Sequence, residues 1–171
     1  MKKSFLVFVA VMLFGFMGKA QITSGIYVIE NAHFANQVLQ GKADGGIQLA
    51  NIVSSNEQKW QVTDVGNGFY RLEYIGIPAK CLDASAGTKG KVQLWNILGN
   101  SNQYGTGGKN QLWKFVAGDN GTYKIYNGWY TDMVLDASMS QTGKVQLWKD
   151  LGNGSQYVPN ANNQRWKLIK K

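Results

Sequence analysis

Two aspartates, Asp83 and Asp136, are each followed twelve residues later by a tryptophan, Trp95 and Trp148, inside nearly identical phrases, CLDASAGTKGKVQLW and VLDASMSQTGKVQLW. An ionised carboxylate accepts from neighbouring hydroxyls, and such charge-assisted bonds are stronger than neutral ones. An indole adds a flat apolar plane. The pair therefore suits a ligand with an apolar face and a rim of hydroxyls, met by a few directed polar groups on an apolar surface. Aspartate before Ala-Ser also reads as a turn in which the side chain bonds its own backbone. Its recurrence with the tryptophan at fixed spacing favours binding.

The elements that must position these groups are strands. In Lys91-Val92-Gln93-Leu94-Trp95, alternate side chains face opposite ways, so Val92 and Leu94 share one face and Lys91, Gln93 and Trp95 the other. A large indole among polar neighbours, repeated at Lys144, Gln146 and Trp148, is expected to be a partly exposed platform. The alternative is that these tryptophans plug gaps beneath long loops.

The duplication has a wider frame. Gln-x-Trp occurs at Gln58-Lys59-Trp60, Gln111-Leu112-Trp113 and Gln164-Arg165-Trp166, at intervals of 53 residues, and Cys81–Phe115 laid over Val134–Leu168 gives 19 identities in 35 positions. The repeats run over about 24–62, 67–115 and 120–168. Each opens on a glycine and alternating hydrophobes, at Gly25-Ile26-Tyr27, Gly68-Phe69-Tyr70 and Gly121-Thr122-Tyr123, which read as strand starts. No helical period of ten residues or more appears after the first twenty. Three copies of about four strands predict an all-β domain of twelve strands with pseudo-threefold symmetry.

The first copy is shorter and worn: Gln40, Ala50 and Glu57 stand where the second has Asp83, Trp95 and Asn110. Trp60, Trp113 and Trp166 persist even there, so they are assigned to the core, with the adjacent glutamines bonding backbone in the barrel. Cys81 aligns with Val38 and Val134, an apolar slot, and is expected as a packed free thiol.

Lys2 and Lys3 precede an apolar run from Phe5 to Met17, and Gly18-Lys19-Ala20 offers small residues before a cut at Gln21, so residues 1–20 read as an export leader and 21–171 as one domain. The run is shorter than the roughly 20 apolar residues that span a bilayer. A secreted product, extracellular or periplasmic, with no membrane attachment after leader removal is expected. Loss of Lys2, Lys3 and Lys19 takes Lys plus Arg from 18 to 15 against 10 acids, about +5. The lysines are scattered, which speaks against a nucleic-acid stripe. With one cysteine no internal disulfide is available, and the single histidine, His33, permits neither a histidine triad nor a His-rich metal site.

The threefold Gln-x-Trp, the Leu-Asp before a turn and the Val-Gln-Leu-Trp strand resemble the ricin-B-type β-trefoil lectins across roughly Ser24 to Leu168. The resemblance implies a β-trefoil, six strands closing a barrel and six capping it, with one shallow sugar site possible per repeat. It implies Asp83, Trp95 and Asn110 as carbohydrate-binding residues of the second repeat and Asp136, Trp148 and Asn163 of the third, with Gln93 and Gln146 near the pockets. The first site is expected to be inactive. Galactose-type or xylan-type glycans are the implied partners, bound by a monomer with no cofactor, no metal and no catalytic residues.

An indole and a carboxylate match the C–H face and hydroxyl rim of a pyranose. A glycosidase needs two carboxylates about 5 to 10 Å apart, whereas each repeat carries one recurring acid. Two other readings stay open: a protein-binding trefoil, inhibitor or adhesion module, that uses the long loops 99–109 and 152–162, and a binder of anionic polysaccharide through Lys89, Lys91 and Lys144.

Overall fold

The computed structural model describes residues 22–99, 105–154 and 158–171. The expected leader, residues 1–20, and parts of both long loops lie outside the described residues. Alternation is the local rule that makes the strands. In β5 (Phe69–Tyr74), Tyr70, Leu72 and Tyr74 point into the core while Phe69, Arg71 and Glu73 lie nearer solvent.

Six strands close a barrel: β1 (Gly25–Asn31), β4 (Trp60–Gly66), β5, β8 (Trp113–Ala117), β9 (Thr122–Asn127) and β12 (Trp166–Lys170). Antiparallel pairing runs β1–β4–β5–β8–β9–β12 and returns to β1, so the barrel has no free edge. The other six strands form three hairpins: β2 (Gln37–Gly41) with β3 (Ile47–Asn51), β6 (Lys80–Ala84) with β7 (Val92–Asn96), and β10 (Met133–Ala137) with β11 (Val145–Lys149). These are the twelve strands expected from the repeats, in the trefoil arrangement that the family resemblance implies.

Backbone hydrogen bonds lock each hairpin to the next. Leu49 N–H donates to Gly143 O at 2.7 Å, Leu94 N–H to Gly45 O at 2.7 Å and Leu147 N–H to Gly90 O at 2.9 Å. The accepting residues sit at φ +86°, +91° and +74° for Gly45, Gly90 and Gly143, a left-handed backbone that favours glycine. The chain thus places a glycine in each turn where one hairpin meets its neighbour.

Trp60, Trp113 and Trp166, the first residues of β4, β8 and β12, are fully buried. Their indole N–H groups donate to Leu39 O, Leu82 O and Leu135 O, each at 3.0 Å, so every barrel tryptophan ties its barrel strand to the hairpin of its own repeat. Cys81 is buried as expected, and burial pushes its thiol up to about 12, which leaves it protonated and inert at neutral pH.

Candidate functional site

Asp83 lies on β6 directly opposite Gln93 on β7, and Cys81 lies opposite Trp95. The hairpin register therefore brings acid, amide and indole to one face, twelve residues apart in the chain. A short 3-10 turn, Lys109–Gln111, then delivers Asn110 and Gln111 against the acid from the far side of the long loop. Gln93 Nε2 donates to Asp83 Oδ1 at 3.1 Å, while Asn110 Nδ2 and Gln111 Nε2 donate to Oδ2 at 2.8 and 3.0 Å. In the third repeat Gln146, Asn163 and Gln164 hold Asp136 at 3.1, 2.8 and 3.0 Å, the last two from the turn Asn162–Gln164. Two sites 53 residues apart repeat one geometry.

Donor and acceptor accounting narrows what each group offers a ligand. Oδ2 of each aspartate already receives two N–H groups, so its open acceptor position is on Oδ1. Asn110 Nδ2 also donates to Ala84 O at 3.1 Å, and Asn163 Nδ2 to Ala137 O at 3.2 Å, so both donor protons of each asparagine are occupied inside the protein. Among the described residues, Gln93 and Gln146 keep a second N–H and the amide oxygen open. Asp83 is 1% exposed and Asp136 2%, at the floors of clefts of about 290 and 460 Å3. Trp95 and Trp148, at 38% and 52% exposed, form open walls, as the alternation of the strand predicts.

Burial raises both carboxyls above the ordinary aspartate value, against the pull of the amide donors and, for Asp83, of nearby Lys91. Lys91 lines the second cleft and Lys144 the third. The clefts are not identical. Asn110 Oδ1 accepts from the Thr106 hydroxyl at 2.7 Å, whereas the buried Asn163 Oδ1 has no partner among the described residues. Met139, Leu151 and Val158 give the third cleft a more apolar rim.

At the corresponding place in the first repeat, Gln58 Nε2 donates to Gln40 Oε1 at 2.9 Å, and Gln40 Nε2 donates to Glu57 Oε2 at 3.3 Å. The chain closes this position with its own amides, and Ala50 supplies no aromatic wall.

The glutamines of Gln-x-Trp do more than the backbone bonding expected of them. Gln111 does bond backbone, donating to Asn96 O at 2.8 Å and accepting from Leu98 N–H at 2.8 Å, yet the same amide also holds Asp83. Persistence in the worn copy hid this role, because there the glutamine grips Gln40 in place of an acid. Gln111→Ala removes the partner of Asn96 O and of Leu98 N–H, both part-buried, and the donor that holds Asp83, and an unsatisfied buried polar group costs about 1–3 kcal/mol. Urea denaturation of this variant is expected to show a loss of about 2 kcal/mol.

Among the described residues no group of three His, Cys, Asp or Glu side chains gathers as a metal ion would require. The family model for the ricin-type β-trefoil lectin domain matches residues 27–166. The chain belongs to that family. Membership agrees with the resemblance carried by Gln-x-Trp and implies carbohydrate binding. No curated protein matches the chain by sequence. Among solved structures it is similar to ThreeFoil, a designed threefold-symmetric protein, at 22% identity and a TM-score of 0.66, covering 86% of this chain and 99% of that one. It is also similar to the ricin B-like lectin of Macrolepiota procera in complex with lactose, at 18% identity, TM-score 0.65, and coverage of 88% and 99%. An exo-β-1,3-galactanase from Clostridium thermocellum matches at 26% identity and TM-score 0.66, over 86% of this chain but 30% of the enzyme. The match thus spans under a third of that galactanase.

Proposed function

We propose that this ricin-type trefoil is a non-catalytic glycan-binding domain with two working sites, in the second and third repeats, and an inactive first site. The observation that carries the reading is the repeated constellation of one buried carboxylate held by three amides beside an exposed indole. Its open Oδ1, with the remaining N–H of Gln93 or Gln146, supplies the directed polar groups for a hydroxyl pair, and Trp95 or Trp148 the plane for the C–H face. Among the described residues each cleft is lined by a single acid, short of the carboxylate pair that glycoside hydrolysis needs. Galactose-type sugars head the list of ligands, supported by fold similarity to a lectin in complex with lactose, and xylan-type sugars come second.

Shallow sites of this kind bind monosaccharides near millimolar, about 4 kcal/mol, and two of them on one rigid domain gain avidity for a repetitive glycan. The basic, apolar run of residues 2–17 supports export to where such glycans lie. A glycan array followed by titration of galactose and xylose tests the reading, and absence of binding to every sugar on the array sinks it. A second reading, an anionic polysaccharide, draws on Lys91 and Lys144 at the clefts. It requires binding to uronic or sulfated glycans that weakens steeply with salt.

Acid is expected to separate binding from folding. The ionised aspartate is the acceptor, so binding falls as pH drops through carboxyl pKa values that burial raises above the ordinary aspartate value. The linkage to stability has the opposite sign. A raised folded-state pKa contributes stability that is present below the unfolded value and lost as pH rises through the folded one, so protonating these two groups does not unfold the chain. Titration of galactose between pH 7 and 4, with circular dichroism on the same samples, checks that affinity declines before the fold does.

A further inference from the structure

Each site is backed by the opening turn of the next repeat. Gly128 N–H donates to Leu112 O at 2.8 Å, Ala32 N–H to Arg165 O at 2.9 Å and Ile75 N–H to Lys59 O at 3.2 Å, so each opening turn is pinned to the middle residue of the preceding Gln-x-Trp. At the two intact sites the attachment is reinforced. Asn127 Nδ2 donates to Asn110 O at 3.0 Å, and Asn127 Oδ1 accepts from the N–H groups of Trp129 and Tyr130, both at 3.0 Å. Asn31 does the same around the barrel closure, donating to Asn163 O at 3.1 Å and accepting from His33 and Phe34. A Cβ on Gly128 would lie 2.8 Å from Lys109 O, so the turn rests directly on the segment that carries Asn110.

The residues that these turns display follow the state of the sites. Beside the second site stand Trp129 and Tyr130, and beside the third His33 and Phe34. Beside the degenerate first site Tyr74 replaces the asparagine, and Gly76-Ile77 follow with no exposed aromatic side chain. Trp129 is 43% exposed, while the hydroxyl of adjacent Tyr130 donates to the backbone oxygen of Ser85, a residue of the cleft wall, at 3.1 Å. An indole held open to solvent on a turn braced against the cleft is unexplained by core packing.

Resting on the glycan reading, we propose that the second-repeat site continues onto Trp129, and that its ligand is an oligosaccharide whose first ring stacks on Trp95 and whose next ring meets Trp129. The third site presents His33 at the same place, so the two sites differ in reach: indole extends one, imidazole the other.

The test uses the Asp136→Ala variant, which retains the second site, with its folding verified by thermal melt, and titrates galactose against lactose and xylose against xylohexaose. Adding Trp129→Ala is expected to lower the ratio of oligosaccharide to monosaccharide affinity roughly fivefold, the size of one aromatic contact. Trp129→Phe is expected to keep most of that ratio. An unchanged ratio in Trp129→Ala, or an oligosaccharide bound no tighter than its monosaccharide before that change, overturns the subsite and leaves the glycan reading standing. Failure of the wild-type chain to bind any of the four sugars overturns both.

Discussion

Asp83→Ala combined with Asp136→Ala is expected to abolish binding of monosaccharides and polymers alike, while each single variant keeps one site and loses the avidity of the pair. The cause is local. Oδ1 of each aspartate is the acceptor left open at the cleft floor, and a hydrogen bond to a charged group is worth about 1.5–3 kcal/mol. From a millimolar starting point a further tenfold to hundredfold loss leaves nothing that calorimetry can follow. The same change removes the shared acceptor of Gln93, Asn110 and Gln111, so their amides lose orientation together. Removal of a desolvated charge offsets part of what the orphaned amides cost, and the barrel tryptophans are untouched, so the double variant is expected to remain folded by circular dichroism. Lactose affinity within twofold of wild type in that variant would show that the ligand sits elsewhere.

The second large effect belongs to the fold. Trp113→Ala is expected to destabilise the domain by about 3–5 kcal/mol, the usual range for truncating a fully buried aromatic. It also strips Leu82 O of its indole donor and so cuts a tie between barrel and hairpin in the middle repeat. Whole domains are stable by only about 5–15 kcal/mol, and at this size each kcal/mol moves Tm by about 2–4 °C, so a drop of roughly 10 °C or more is expected in a thermal melt. Trp95→Ala, a tryptophan of the same repeat on the exposed wall, is expected to shift Tm little and to remove second-site binding. The two variants cross: one loses fold, the other ligand. A Trp113→Ala melt within about 2 °C of wild type would contradict the core assignment of Gln-x-Trp.

Much of this was legible in the residues alone. Period-two alternation, three glycine-opened repeats and evenly spaced Gln-x-Trp imply twelve strands and threefold pseudo-symmetry, because a strand's inward and outward faces are set by residue parity. Parity also placed Trp95 and Trp148 outside and Val92 and Leu94 inside, as found. Comparison among the copies separated Asp83 and Asp136 from the worn Gln40. What parity does not encode is which atom meets which across the barrel.

The bonds that fix Asp83 come from residues 27 and 28 positions away, delivered by a 3-10 turn after a long loop. Only the folded chain shows that Asn110 has both donor protons occupied, that Gln111 serves core and carboxylate together, and that Thr106 bonds Asn110 Oδ1 while Asn163 Oδ1 has no partner among the described residues. The same holds for the turn carrying Trp129, which belongs to one repeat by sequence and to the neighbouring repeat's site by position. Periodicity is a property of neighbours along the chain. Hydrogen-bond partnership and shared walls depend on how the barrel closes, and closure brings together residues that no alternation along the chain pairs.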